Sequence, residues 1–177
     1  MGSSPTKPNM RRLELGHDRY PMLAQDISKE INMTTPANPE FSHNDFTATK
    51  FNSAEDKAKF ANHLIKFIQN DFPERMFYKW FYERLSNCFG HIAHYNICGF
   101  YEKWFRTTSD KIDFLYNILD HPCYGHAEYT YSDVEKAIKS WLSMTDYLQK
   151  LKNRLKDEDE KHERYVYETL KAKYEDS

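Results

Sequence analysis

Apolar residues recur at helical spacing along most of this chain, and no alternating, strand-like run competes with them. In "NSAEDKAKFANHLIKFIQN", Phe60, Leu64, Phe67 and Ile68 fall on one face. Asn52 or Ser53 stands where a side chain can accept from the first free amides, with Glu55 or Asp56 placed to complete a capping box. "NDFP" ends this helix, and Pro73 can open the next, where a missing N–H does no harm. "TTSDKIDFLYNILD" predicts a short capped helix with Ile112, Leu115 and Leu119 inward, and "HPCYGHAEYTY" predicts a loop. After Gly125 neither glycine nor proline occurs, so Ser132 is expected to cap one long helix over residues 133–174. Its stripe runs through Ile138, Trp141, Met144 or Thr145, Leu148, Leu151 and Leu155, then lapses in "KDEDEKHE" before Tyr165, Val166 and Leu170 resume. A helix of some 40 residues would be about 60 Å long, more than a domain of this size spans, so one end is expected to project or to pair with another chain.

Two regions depart from this regularity. Residues 1–50 hold Pro5, Pro8, Pro21, Pro36 and Pro39, five of the seven prolines. They read as an irregular arm, with a short helix after Pro21 and an extended strap or unstructured stretch beyond it. Residues 1–4, "MGSS", read as a vector remnant, and Met33 is an alternative start that would make residues 1–32 an appendage. The second region, residues 72–105, carries 12 aromatic residues in 34 positions. Gly90 and Gly99 interrupt it, and a helix break is expected near Gly90. The fold these patterns predict is all-α: an irregular N-terminal arm over residues 1–50, and one aromatic-rich helical bundle over residues 51–177 that includes the long C-terminal helix.

Composition sharpens the picture. Of 177 residues, 16% are aromatic, so rings must build much of the core. Formal net charge is −2, without the basic excess of a dedicated nucleic-acid binder. No apolar run approaches a membrane span, and three cysteines form no secreted disulfide framework, so a reduced, cytoplasmic chain is expected. The five glycines form neither a dinucleotide fingerprint nor a P-loop, and no nucleophile elbow occurs. "HERYV" lacks the second histidine of a metalloprotease helix.

One stretch, "CFGHIAHYNIC" (88–98), could carry chemistry. On a straight helix Cys88, His91, His94 and Cys98 share a face, but they are strung along about 15 Å, too far for one metal ion. Two of them could act only with ligands from elsewhere, and "HPCYGH" offers His121, Cys123 and His126. Thiolate with imidazole suits zinc, so His91, His94, Cys98, His121, Cys123 and His126 form the candidate metal set. The other reading of these residues is buried packing, which cysteine and histidine commonly serve. With Tyr95, Asn96 and Glu83 or Glu102, the same region could also form an acid–base pocket.

A separate pattern points to recognition. Lys79, Arg84, Lys103 and Arg106 interleave with Tyr78, Trp80, Tyr82, Tyr101 and Trp104. The competing reading is that these rings fill the core while the basic side chains reach out from its rim. Rings at nearly every angular position of "MFYKWFY" cannot all face inward, however, and exposed Tyr, Trp and Arg are the usual anchors of protein interfaces. The expected function is therefore binding of another macromolecule, a protein rather than nucleic acid, or self-association through the C-terminal helix. The alternative is a metal-dependent or histidine-based enzyme centred on the 88–98 segment and the 121–126 loop.

Overall fold

The structure, a computed structural model, describes residues 39–92, 96–122 and 125–175, the His91 side chain excepted. The expected helix after Pro21, the vector remnant and Met33 lie outside these residues. Six α-helices run through the described residues, and no strand occurs among them: α1 (Ala54–Gln69), α2 (Lys79–Cys88), α3 (Ile97–Phe105), α4 (Thr108–Asp120), α5 (Ser132–Met144) and α6 (Tyr147–Glu175). The fold is all-α, as the periodicity requires.

Helix α1 is the centre of the bundle. Ser53 caps it by accepting from the Asp56 amide at 3.1 Å. Phe60, Leu64 and Phe67 lose all solvent contact, and Ile68 nearly all. Phe67 packs its ring 5.1 Å from Phe81 and 5.1 Å from Phe105, with Phe72 and Phe77 at 5.4 and 5.9 Å. Phe105 in turn meets Phe114 at 4.8 Å, so rings from α1 to α4 form one continuous cluster. Such edge-to-face pairs add about 0.5–1.5 kcal/mol each to the area they bury.

The fully buried Lys57 is the one charged residue among the buried positions of this helix. Its ammonium donates to the carbonyls of Ala127 (2.9 Å) and Thr130 (2.8 Å) and to Asp133 Oδ1 (3.0 Å). All three protons are therefore used, which a buried lysine requires. Asp133 opens α5, where a carboxylate also meets the helix dipole favourably, and its Oδ2 accepts from the Thr47 amide at 2.9 Å. A single lysine thus joins α1, the 126–133 loop, α5 and the strap before α1. That strap belongs to the core: Phe41 exchanges two backbone–amide hydrogen bonds with Asn62 (2.9 and 2.8 Å), and Phe46 is buried.

The C-terminal end of α1 turns through two left-handed residues, Asp71 (φ 65°) and Phe72 (φ 58°). A phenylalanine adopts this conformation only when its surroundings compel it. Here the Phe72 ring is 1% exposed, its amide donates to the Phe67 carbonyl (2.8 Å), and its carbonyl accepts from the Tyr101 hydroxyl (2.7 Å). Asp71 holds Lys111 of α4 at 3.1 Å and Arg154 of α6 at 2.7 Å. Burial would raise its pKa, but the hydrogen bonds from Arg154 and Lys111 outweigh that and hold the carboxyl below its usual range.

The single helix expected over 133–174 is two helices. Thr145 is extended (φ −102°, ψ 159°), and its hydroxyl donates to the Leu142 carbonyl at 3.2 Å. Asp146 takes the N-cap position of α6, its carbonyl accepting from the Lys150 amide at 2.8 Å. Threonine and aspartate compete with the helical backbone through their own oxygens, so they can break a helix without glycine or proline. The break brings the Tyr147 ring to 5.7 Å from Trp141 and its hydroxyl to the Gln69 carbonyl (3.2 Å). The first part of α6 then packs on α4, with Leu151 buried and Thr108 donating to Glu158 at 3.0 Å. The break near Gly90 is present: α2 ends at Cys88, a 3₁₀ turn covers Gly90–Ile92, and α3 starts at Ile97.

Two predictions follow from these anchors. Lys57→Ala strands Asp133 and two carbonyls, and is expected to cost about 3–5 kcal/mol in urea unfolding; a loss under about 1 kcal/mol would contradict the role given to the lysine. Asp71→Asn keeps a residue that tolerates positive φ but loses the charge. Because the folded pKa is lowered, the carboxylate's contribution is present above the ordinary carboxylate range and lost as pH falls through the folded value. After discounting for its half-exposed position, a deficit of about 0.5–1 kcal/mol is expected at pH 7, closing on acidification, and a deficit independent of pH would contradict the assignment.

Candidate functional site

Three of the nine recognition residues come together beside α1. The Trp80 indole donates to Asp56 Oδ1 at 3.3 Å, and the Arg84 guanidinium pairs with Asp56 Oδ2. Tyr131 makes a longer 3.4 Å contact to the same oxygen. Lys59 Nζ lies 4.6 Å from the Trp80 ring centroid, and the Arg84 guanidinium 5.8 Å from it, both within cation–π range. Tyr78, 44% exposed, stacks on Trp80 with centroids 6.0 Å apart. His63 packs against Tyr78, Trp80 and Phe81, and its Nε2–H donates to the Met76 carbonyl at 2.9 Å. Burial is the main cause lowering the His63 pKa, so the ring stays neutral at pH 7.

The other recognition residues are placed differently. Tyr82 and Tyr101 are half-buried against Phe77, 6.1 and 5.4 Å away. Trp104 packs on Phe100 and Phe114. These three rings extend the core. Lys79, Lys103 and Arg106 are exposed, with Lys79 3.9 Å from Glu83 and Arg106 paired to Glu102. The nine residues therefore do not make one surface. Asp56, Lys59 and His63, which complete the Trp80 cluster, were missed in the sequence. Their 3- and 4-residue spacing, a polar stripe beside the apolar face of α1, was the available signal.

Of the metal candidates, His94, Cys123 and the His91 side chain lie outside the described residues. Cys98 is exposed on α3, and His126 is exposed in its loop. His121 is buried, with Nδ1 3.0 Å from Glu135 Oε2 and its ring edge-on to Phe89. A carboxylate at Nδ1 fixes the orientation of an imidazole, whether the ring serves packing or chemistry. No group of three His, Cys, Asp or Glu able to hold a metal occurs among the described residues.

A further surface lies at the far end of α6. Every residue from 156 to 175 is exposed, a segment about 30 Å long. It includes Tyr165, Val166, Tyr167, Leu170 and Tyr174, from 40% to 70% exposed. At 100° per residue, Val166, Leu170, Tyr174 and Tyr167 fall at about 0°, 40°, 80° and 100°, a single apolar stripe. A stripe of this width normally faces a core. No described helix of this chain is long and apolar enough to cross a membrane. No family model matches the sequence, and no curated protein and no solved structure matches it significantly.

Asp56 organises the Trp80 cluster, so Asp56→Ala is expected to cost about 1–3 kcal/mol in thermal or urea unfolding and to change tryptophan fluorescence. Unchanged stability and emission would show that the cluster does not depend on it.

Proposed function

We propose that this protein binds another protein through the projecting half of α6. The observation that carries this reading is the stripe Val166, Tyr167, Leu170 and Tyr174 on a helical segment wholly exposed from 156 to 175. An amphipathic helix presents such a stripe to a groove or to a second helix, reading as anchors at i, i+4 and i+8. Tyrosine suits the task because it buries large area while its hydroxyl remains satisfied at a wet rim. The Tyr78–Trp80–Arg84 cluster offers a second contact of the same chemistry. The charge balance of −2 favours a protein over nucleic acid as the partner.

A photo-reactive phenylalanine analogue at Tyr167, with the chain expressed in its native cells, is expected to cross-link one defined protein, a second copy of this chain included. Light scattering of the purified chain then tells self-association from a different partner. Leu170→Glu is expected to reduce the adduct at least about tenfold without altering helicity or melting. No adduct, or adducts indifferent to Leu170→Glu, would overturn the proposal.

A further inference from the structure

Two exposed rings outside α6 pack against no other ring among the described residues; Phe51 meets the Lys50 ammonium 5.5 Å from its centroid. Phe51 is 84% exposed and Tyr129 is 78% exposed, yet both border one groove of about 360 Å³. Its remaining lining comes from Thr49, Asn52, Asn87, Thr130 and Tyr131, and none of these residues carries a charge at pH 7. The groove is built by fixed turns. Thr49 Oγ1 accepts from the amides of Phe51 (3.2 Å) and Asn52 (2.9 Å), which holds the Phe51 turn. On the opposite side, the amides of Tyr129 and Thr130 donate to the His126 carbonyl at 2.9 and 3.0 Å. Gly125 (φ +76°) closes that turn, where an added Cβ would meet Thr130 Cγ2 at 2.9 Å. The buried Lys57 grips the same turn from behind through Ala127 and Thr130.

The hydroxyls of Thr49 and Thr130 are spent inside these turns, since Thr130 Oγ1 donates to the His126 carbonyl (3.0 Å) and accepts from the Ser132 amide (3.3 Å). The carboxamides of Asn52 and Asn87 have no hydrogen-bond partner among the described residues. Two rings and two open carboxamides, without a charged side chain in the lining, define what fits. Each carboxamide offers paired donors and an acceptor, matching adjacent hydroxyls, while the rings suit the C–H face of a saturated ring. A charged ligand would find no counter-charge among the lining residues. The volume is at the lower end for a small-molecule site. We propose that this groove binds a neutral sugar unit, with Phe51 and Tyr129 against its C–H faces and Asn52 and Asn87 on its hydroxyls.

The test is an amide-resonance titration of the isotope-labelled full chain with maltotriose, cellotriose and triacetylchitotriose, all three uncharged. At least one is expected to give saturable shifts of the Asn52 and Asn87 side-chain amides. Phe51→Ala and Tyr129→Ala are expected to weaken that binding at least about fivefold each. Both rings face solvent, so melting should be unchanged, which separates a binding defect from a folding one. Leu170→Glu should leave the titration unchanged, so this proposal stands or falls apart from the α6 reading. No saturable shift with any of the three sugars would overturn it. So would shifts that persist in both ring variants, or the same resonances responding to adenosine or a proline-rich peptide but not to sugar.

Discussion

A lysine with no solvent exposure is costly unless every proton is bonded, and the architecture around Lys57 follows from that constraint. Its three partners come from the 126–133 region, 70 to 76 positions along the chain. The acceptor Asp133 is itself shared with the strap at Thr47 and with the first turn of α5 at the Val134 amide (2.9 Å). Aromatic rings supply much of the core, but rings tolerate several arrangements. The ammonium, with its fixed acceptors, selects one. The turn that presents Tyr129 is held by the same bonds, so the core and the uncharged groove share one support.

The helical parts of this arrangement are legible in the sequence, because burial of Phe60, Leu64, Phe67 and Ile68 demands the spacing they show. The break beside Gly90 is where the sequence places it, although Gly90 takes no positive φ and leaves open space for a Cβ. The break at Thr145–Asp146 is not: the apolar stripe passes through it in phase, and the competing side-chain oxygens register only weakly in a pattern. Lys57 is hidden for a different reason. A lysine in a helix reads as a solvated position, and its acceptors lie too far along the chain for local spacing to reveal them.

The candidate sites divide in the same way. Interleaved rings and cations drew notice to Tyr78, Trp80 and Arg84, which do meet in one cluster, but the partners from α1 that assemble them, Asp56, Lys59 and His63, are joined only by the packing of α2 on α1. The "CFGHIAHYNIC" segment is no continuous helix: Cys88 ends α2, and Cys98 lies on α3. Phe51 and Tyr129 carried no signal, since a lone ring in a turn is unremarkable until a second ring is found across the same groove.

The chain thus divides between a pinned core and a helix that outruns it. Up to Leu155, α6 packs against the bundle, and Glu158 still accepts from Thr108 of α4 (3.0 Å); beyond Glu158, hydrogen bonds within the helix itself and pairs such as Lys171–Glu175 (3.9 Å) support the segment. Exposed pairs of this kind contribute only a few tenths of a kcal/mol. Native-state hydrogen exchange of the isolated chain at low concentration tests this division directly. The account predicts that amides of residues 57–68 exchange only through global unfolding, while those of residues 162–175, beyond the Thr108–Glu158 contact, exchange far faster through local fraying. Equal protection of the two segments would contradict it, because the end of α6 would then have a partner within its own chain.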